Sequence, residues 1–240
     1  YDKVLPFFRK SERDLDIRDD FHGTDGPIPV RRRQAGPWPD IQKAFHEACL
    51  SEGYGNVEDT NGPNPAGVGV WPSNNLDGWR MSAALTYLNP MRHRLNLTVR
   101  GEVLVRKVLI EGGKAIGVEA ESGGEIFNIE AEHVVLSAGA IKSPHLLMLS
   151  GIGPKDQLEA FEIPVIQDMP GVGQNLMNHL SAQVTFKVKD GLSLHGDMDA
   201  IHFGLHYTAE GSTEVNDMLL RTTPMVDERP ERVPGLRTKF

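Results

Sequence analysis

The chain has 240 residues, with 25 basic against 33 acidic side chains and a net charge of −8. That balance argues against nucleic acid or an anionic membrane surface as the main partner, and no apolar run approaches the roughly 20 residues that span a bilayer. The single cysteine, Cys49, excludes an internal disulfide and suits a cytoplasmic setting.

Tyr1, Val4, Leu5 and Phe8 stand at helical spacing, so the chain opens on a helix with Pro6 in its first turn. Residues 18–39 are rich in Gly, Pro and charge and read as a long surface segment with one short strand at 28–30. The isolated triplet Arg31-Arg32-Arg33 reads as a solvated loop face. Residues 40–51 form an amphipathic helix, with Asp40 as N-cap and Ile41, Ala44, Phe45, Ala48 and Cys49 on its apolar side. Cys49 is therefore a small core residue rather than a nucleophile. Residues 53–79 are loop with a strand near 68–71, entered through a flexible turn at Gly67-Val68-Gly69. Asp59, Asn61, Asp77 and Arg80 take turn and capping roles there and no chemistry. Residues 81–88 make a short helix that ends before Asn89-Pro90.

From Leu97 the pattern becomes that of strands. Residues 99–110 are β-branched and apolar, bent at Gly101. Gly112-Gly113 turns the chain, residues 115–120 return, Gly123-Gly124 turns it again, and residues 126–129 form a third strand. After this β-meander, residues 134–138 form a short apolar run suited to a strand buried on both faces. Gly139 and Ala140 give a small-residue turn, Ser143-Pro144 a helix start, and Ser150-Gly151 a glycine-capped helix end. Strand, tight turn and helix N-terminus together favour an anion such as a dinucleotide pyrophosphate, although the same residues also serve simple packing. A second short helix covers 155–161, and strands of another sheet cover 184–188 and 201–207. The fold class is mixed α/β.

The run GAIKSPHLLMLSGIG at 139–153 resembles the second signature of the glucose–methanol–choline oxidoreductases. PGVGQNLMNH at 170–179 is similar to a second family segment, with Asn178 where an Asp is usual. DTNG at 59–62, DGWRMSAALTYLNP at 77–90 and NLTV at 96–99 extend the resemblance, which is clearest over 77–180 and closest to choline-dehydrogenase-like members. The resemblance implies an FAD enzyme that oxidises an alcohol. A base takes the hydroxyl proton, hydride passes to flavin N5, and oxygen or another acceptor reoxidises the flavin. It implies part of a Rossmann-like FAD domain at 91–177. Parts of a substrate domain built on an antiparallel sheet would lie at 1–90 and 178–240.

As cofactor-binding residues the resemblance implies Ala138 and Gly139 at the ADP half of FAD and Val105 beside the adenine. No catalytic residue and no metal ligand is assigned. The loop Gly171-Val172-Gly173 lacks the third glycine of a dinucleotide fingerprint, since Leu176 stands there. Asn175 and His179 read as structural hydrogen-bonding residues. His202 and His206 alternate with Ile201, Phe203, Leu205 and Tyr207, the period of a strand rather than of a zinc-binding helix. Their face is either solvated or turned toward a substrate cavity. The family's opening glycine loop and its C-terminal catalytic His find no match here, so the sequence is expected to be an internal segment that by itself retains FAD weakly or not at all and does not oxidise alcohols. A hydroxynitrile lyase of the same fold and a non-catalytic module are the alternatives.

Overall fold

A computed structural model describes residues 1–32, 38–184, 186 and 203–222. In chain order these form α1 (Leu5–Ser11), β1 (Glu12–Asp14), β2 (Ile28–Val30), α2 (Asp40–Ser51), β3 (Asn56–Val57), β4 (Gly67–Val70), β5 (Asn75–Leu76) and β6 (Trp79–Arg80). A π-helical turn (Ala84–Leu88) leads into α3 (Asn89–Met91). There follow β7 (Leu104–Glu111), β8 (Lys114–Ser122), β9 (Glu125–Glu130), α4 (Gly139–Leu149), β10 (Ile152–Gly153), α5 (Lys155–Ala160), β11 (Gln167–Asp168), β12 (Phe203–Tyr207) and β13 (Met218–Arg221). The fold is mixed α/β, in two compact units: Thr98–Thr185, and Tyr1–Leu97 with Phe186–Phe240.

The discontinuous unit is built on a four-stranded sheet in the order β13-β12-β4-β3, antiparallel except for the β4–β3 pair. Alternation along β4 and β12 turns Val68, Val70, Phe203 and Leu205 to one side, where they form a core with Cys49 of α2. Trp38 meets the Phe203 ring edge-on at 4.7 Å. Cys49 is buried, as its helical position suggested. The helix lies rotated from the expected face, however: Gln42 and Cys49 are buried with Phe45 and His46 half-buried, while Ala44 and Ala48 face solvent. Its N-cap is Pro39, and Asp40 is the first helical residue. Gly67 and Gly69 are not a flexible entry turn but buried strand residues. A Cβ on Gly69 would stand 2.5 Å from the Val57 carbonyl oxygen, so glycine lets β3 approach.

Other expectations shift for local reasons. The helix over 81–88 does not stop at Asn89-Pro90; Pro90 sits in the first turn of α3, where its missing N–H is harmless. The segment 18–39 is not all surface, since His22, Gly23, Pro29, Val30 and Arg32 are buried. Arg32 is 3% exposed rather than solvated, whereas Arg31 is exposed. Residues 33–37, including Arg33, lie outside the described residues, as do Ile201, His202 and residues 223–240. Of the strand expected at 184–188, Val184 is exposed and unpaired into any strand, and 185, 187 and 188 are not described.

The continuous unit is the expected meander, β7-β8-β9, with both diglycine turns at positive φ as two-residue hairpins require. β7 starts at Leu104, later than expected, because Glu102 turns into the left-handed region at φ 54. β7 is an edge strand, and α4 covers part of that edge. Ser150, the C-cap of α4, donates from Oγ to the Leu146 carbonyl at 2.6 Å and accepts the Val108 N–H at 2.8 Å. Gly151 ends the helix at φ 79, and a Cβ there would stand 2.5 Å from the Pro164 carbonyl oxygen.

The expected buried strand at 134–138 is an unpaired segment outside any strand, with Val135 83% exposed. A strand of a parallel sheet exists only beside its neighbours, and the described residues set none alongside it. The helix behind it starts at Gly139, not at Pro144. Ser143 therefore does not cap a new helix; its Oγ accepts the Ala138 N–H at 3.0 Å, and Pro144 lies inside the helix.

Phe203→Ala should lower the unfolding free energy of the discontinuous unit by about 3–5 kcal/mol, measured by urea denaturation. Ser150→Ala leaves the Val108 N–H without its partner and should destabilise the continuous unit by about 1–3 kcal/mol. Midpoints unchanged from the parent chain would contradict these packing assignments.

Candidate functional site

The described residues present three places with chemical potential. The first is the turn at the head of α4. Ala138 and Gly139 are both exposed, and Gly139 takes φ 84. A Cβ built on Gly139 would meet nothing within 4 Å, so the turn opens to a ligand-sized approach. The N–H groups of Gly139, Ala140 and Ile141 have no acceptor within the helix, as at any helix start. The Ala138 N–H is already engaged by Ser143, so Ala138 shapes the turn while Gly139 and its successors keep their donors free among the described residues. Lys142 adds a positive charge in the first turn. Val105 lies in β7 of the same unit and is 36% exposed. It sits beside a bulge, since Val105 pairs with Ala120 and Lys107 with Glu119, leaving Arg106 extra.

The second place is the sheet face opposite the core of the discontinuous unit. His206 stacks parallel on Trp71, with ring centroids 5.6 Å apart and planes 5° from parallel. Trp71 also lies over Gly204, where a Cβ would stand 2.8 Å from its ring. Burial lowers the pKa of His206 and keeps the imidazole neutral, and its buried Nε2 has no hydrogen-bond partner among the described residues. His202 lies outside the described residues, so the pair read from the sequence reduces to His206 alone. Asn175 takes the left-handed backbone at φ 56, and the His179 N–H donates to Asn178 Oδ1 at 2.8 Å, so this stretch supplies turn geometry.

The third place is a buried ion cluster that sequence reading did not find. His22 is 2% exposed, and both of its ring nitrogens meet carboxylates. Nδ1 lies 2.8 Å from Glu12 Oε1 and 3.3 Å from Asp14 Oδ2; Nε2 lies 2.9 Å from Asp59 Oδ2. Arg32 donates from Nη1 to Asp14 Oδ2 at 2.6 Å and from Nη2 to Asp59 Oδ1 at 2.5 Å. The Arg32 backbone N–H donates to Asp16 Oδ2, and Asp14 Oδ1 accepts the N–H groups of Asp16 and Ile17 at 2.9 Å.

The electrostatics follow from this geometry. Burial alone would lower the His22 pKa, but hydrogen bonds to Glu12 and Asp59, with the charges of both, outweigh it and raise it. Burial would raise the Asp59 pKa, but the Asn61 N–H, His22 and Arg32 outweigh it and lower it. Arg32 and the imidazole already engage Glu12 Oε1, Asp14 Oδ2 and both Asp59 oxygens, so the cluster as it stands is an ion-pair network. Asp59 belongs to the DTNG turn, read from the sequence as chemically silent. The available signal was the alternation of Glu12 and Asp14 on one side of a strand, but nothing local tied it to His22, Arg32 or Asp59.

Comparison with known proteins joins these features. The sequence matches the family described as GMC oxidoreductase over residues 1–181. It is 44% identical over 179 residues to an uncharacterized GMC-type oxidoreductase of Rhodococcus erythropolis, covering 75% of this chain and 36% of that protein. It is 39% identical over 206 residues to the oxygen-dependent choline dehydrogenase of Photobacterium profundum, covering 85% of this chain and 36% of that protein. The chain thus spans about a third of the length of the curated relatives it matches. Among solved structures, pyridoxine 4-oxidase from Mesorbium loti is similar with a TM-score of 0.67 and 36% identity, over 71% of this chain and 33% of that one. An FAD-dependent oxidoreductase from Chaetomium thermophilum is similar with a TM-score of 0.65 and 28% identity, over 71% of this chain and 32% of that one. With three quarters of its residues inside the family match and the meander, the α4 turn and the glycine-bearing sheet all formed, the chain belongs to the GMC oxidoreductase family.

Proposed function

We propose that this chain is part of an FAD-dependent enzyme that oxidises an alcohol, with the turn at the head of α4 as one wall of the FAD pyrophosphate site. The observation that carries the reading is that open turn, with Gly139 at positive φ and free first-turn donors, in a chain of this family. Choline and pyridoxine, which name two of the similar proteins, are both alcohols. Those names favour oxidation over hydroxynitrile cleavage or a module without activity.

The residues present fit the cofactor on this side. Helix-start N–H groups suit a phosphate oxygen, and the side-chain-free Gly139 permits close backbone approach. Ala138 and Ser143 hold the turn, and Val105 offers an exposed strand position for an adenine ring. Bound FAD would supply the hydride acceptor for the alcohol carbon. We read the Trp71–His206 face as one wall of the substrate cavity. A neutral, half-buried imidazole whose Nε2 has no partner among the described residues can orient a hydroxyl there without charge.

In the complete protein, Gly139→Val imposes a β-branched side chain on a left-handed backbone position and should cut the flavin bound per chain, read from the ratio of flavin to protein absorbance. His206→Ala should raise KM for the alcohol while flavin content stays at the parent level. Full flavin content in the Gly139 variant would contradict the pyrophosphate assignment, and an unchanged KM in the His206 variant would contradict the substrate wall.

A further inference from the structure

The ion cluster around His22 serves neither flavin nor substrate in the reading above, yet it joins four separate stretches of chain. Glu12 and Asp14 come from β1, His22 from the loop after Asp19, Arg32 from the residues following β2, and Asp59 from the DTNG turn. Backbone bonds run the same way: the Asp14 N–H donates to the Gly23 carbonyl at 2.8 Å, and the Gly26 N–H to the Glu12 carbonyl at 2.9 Å. We propose that His22 is a pH-operated clamp, whose imidazolium holds β1, the 19–23 loop and the 59–62 turn together and whose deprotonation releases them.

The charges facing His22 come from every neighbouring element. Glu12 and Asp14 stand on one side and Asp59 on the other, with Arg32 shared between Asp14 and Asp59. Asp19 Oδ1 accepts the His22 backbone N–H at 3.1 Å, and Asp16 holds that of Arg32. With His22 protonated, the inner group sets two cations against three carboxylates. Loss of one proton to a solvent base leaves Arg32 alone against the three and strips one ring nitrogen of its donor, so a lone pair then faces a carboxylate. That arrangement is repulsive in a site shielded from water.

The sign follows from the native pKa being raised. The contribution is complete below the ordinary histidine value of 6.5 and is lost as pH rises through the higher native value. The effect is also local. No member of the cluster lies in β4 or β12, so release of the clamp leaves the ladder between those two strands in place, while the Thr60 hydroxyl bond to the Val70 carbonyl belongs to the released side.

Hydrogen–deuterium exchange on the unaltered chain, at a series of pH values from 6 upward and corrected for intrinsic rates, tests this. Protection of residues 12–32 and 58–62 should fall about tenfold, the equilibrium change that one lost charge-assisted hydrogen bond brings, while that of 67–70 and 203–207 holds. Equal loss across both regions, or no loss in either, overturns the proposal. His22→Gln should remove the pH dependence in the first region. Persistence of the same dependence in that variant overturns the proposal as well, and if the variant does not fold, the unaltered chain decides alone.

Discussion

The requirement that one buried and two half-buried carboxylates be matched by two cations organises the first third of this chain. Moving each ion out of water costs several kcal/mol, and removing any partner leaves another uncompensated. Glu12, Asp14, His22, Arg32 and Asp59 therefore fix one another, and with them the course of the backbone between β1 and the Asp59 turn. One residual cost remains, since the buried Arg32 Nε has no partner among the described residues. The cluster has two pH edges. Asp59, with its lowered pKa, contributes above the ordinary carboxylate range and loses its contribution as pH falls through its lower native value. His22 sets the opposite, alkaline edge.

The continuous unit is held differently. Its meander needs no buried charge, and Ser150 closes the open edge of β7 through one hydroxyl that both donates and accepts. That bond fixes the C-terminal end of α4 against the sheet. The N-terminal end, where Gly139 lies, stays exposed with its first-turn donors free among the described residues, as the proposed anion site requires. Rigid anchoring at one end and an open turn at the other is a consistent arrangement for cofactor binding, and it uses residues from one short run of sequence.

The parts most legible in the sequence were those whose physics is local. The diglycine turns give the meander, the glycine after Ser150 ends α4, and the alternation around His206 gives β12. The helix after residue 138 was legible too, but it starts at Gly139 rather than at Ser143-Pro144. Where partners come from afar, local pattern misled. Arg31-Arg32-Arg33 looks uniform, yet Arg32 is buried because acids 18 and 27 residues away converge on it. Residues 134–138 have strand composition but remain unpaired, because pairing depends on a neighbour and not on propensity. The helix holding Cys49 was found, and its rotation was missed, because a fully buried Gln42 reads as polar surface until the packing is seen.

The central claim is that His22 is an imidazolium bridging carboxylates, and the nitrogen chemical shifts of its ring test that most directly. In 15N-labelled protein at pH 6.5, the account predicts that His22 shows predominantly the signature of two protonated ring nitrogens. A predominantly neutral ring, with one nitrogen at the shift of a bare acceptor, would contradict it.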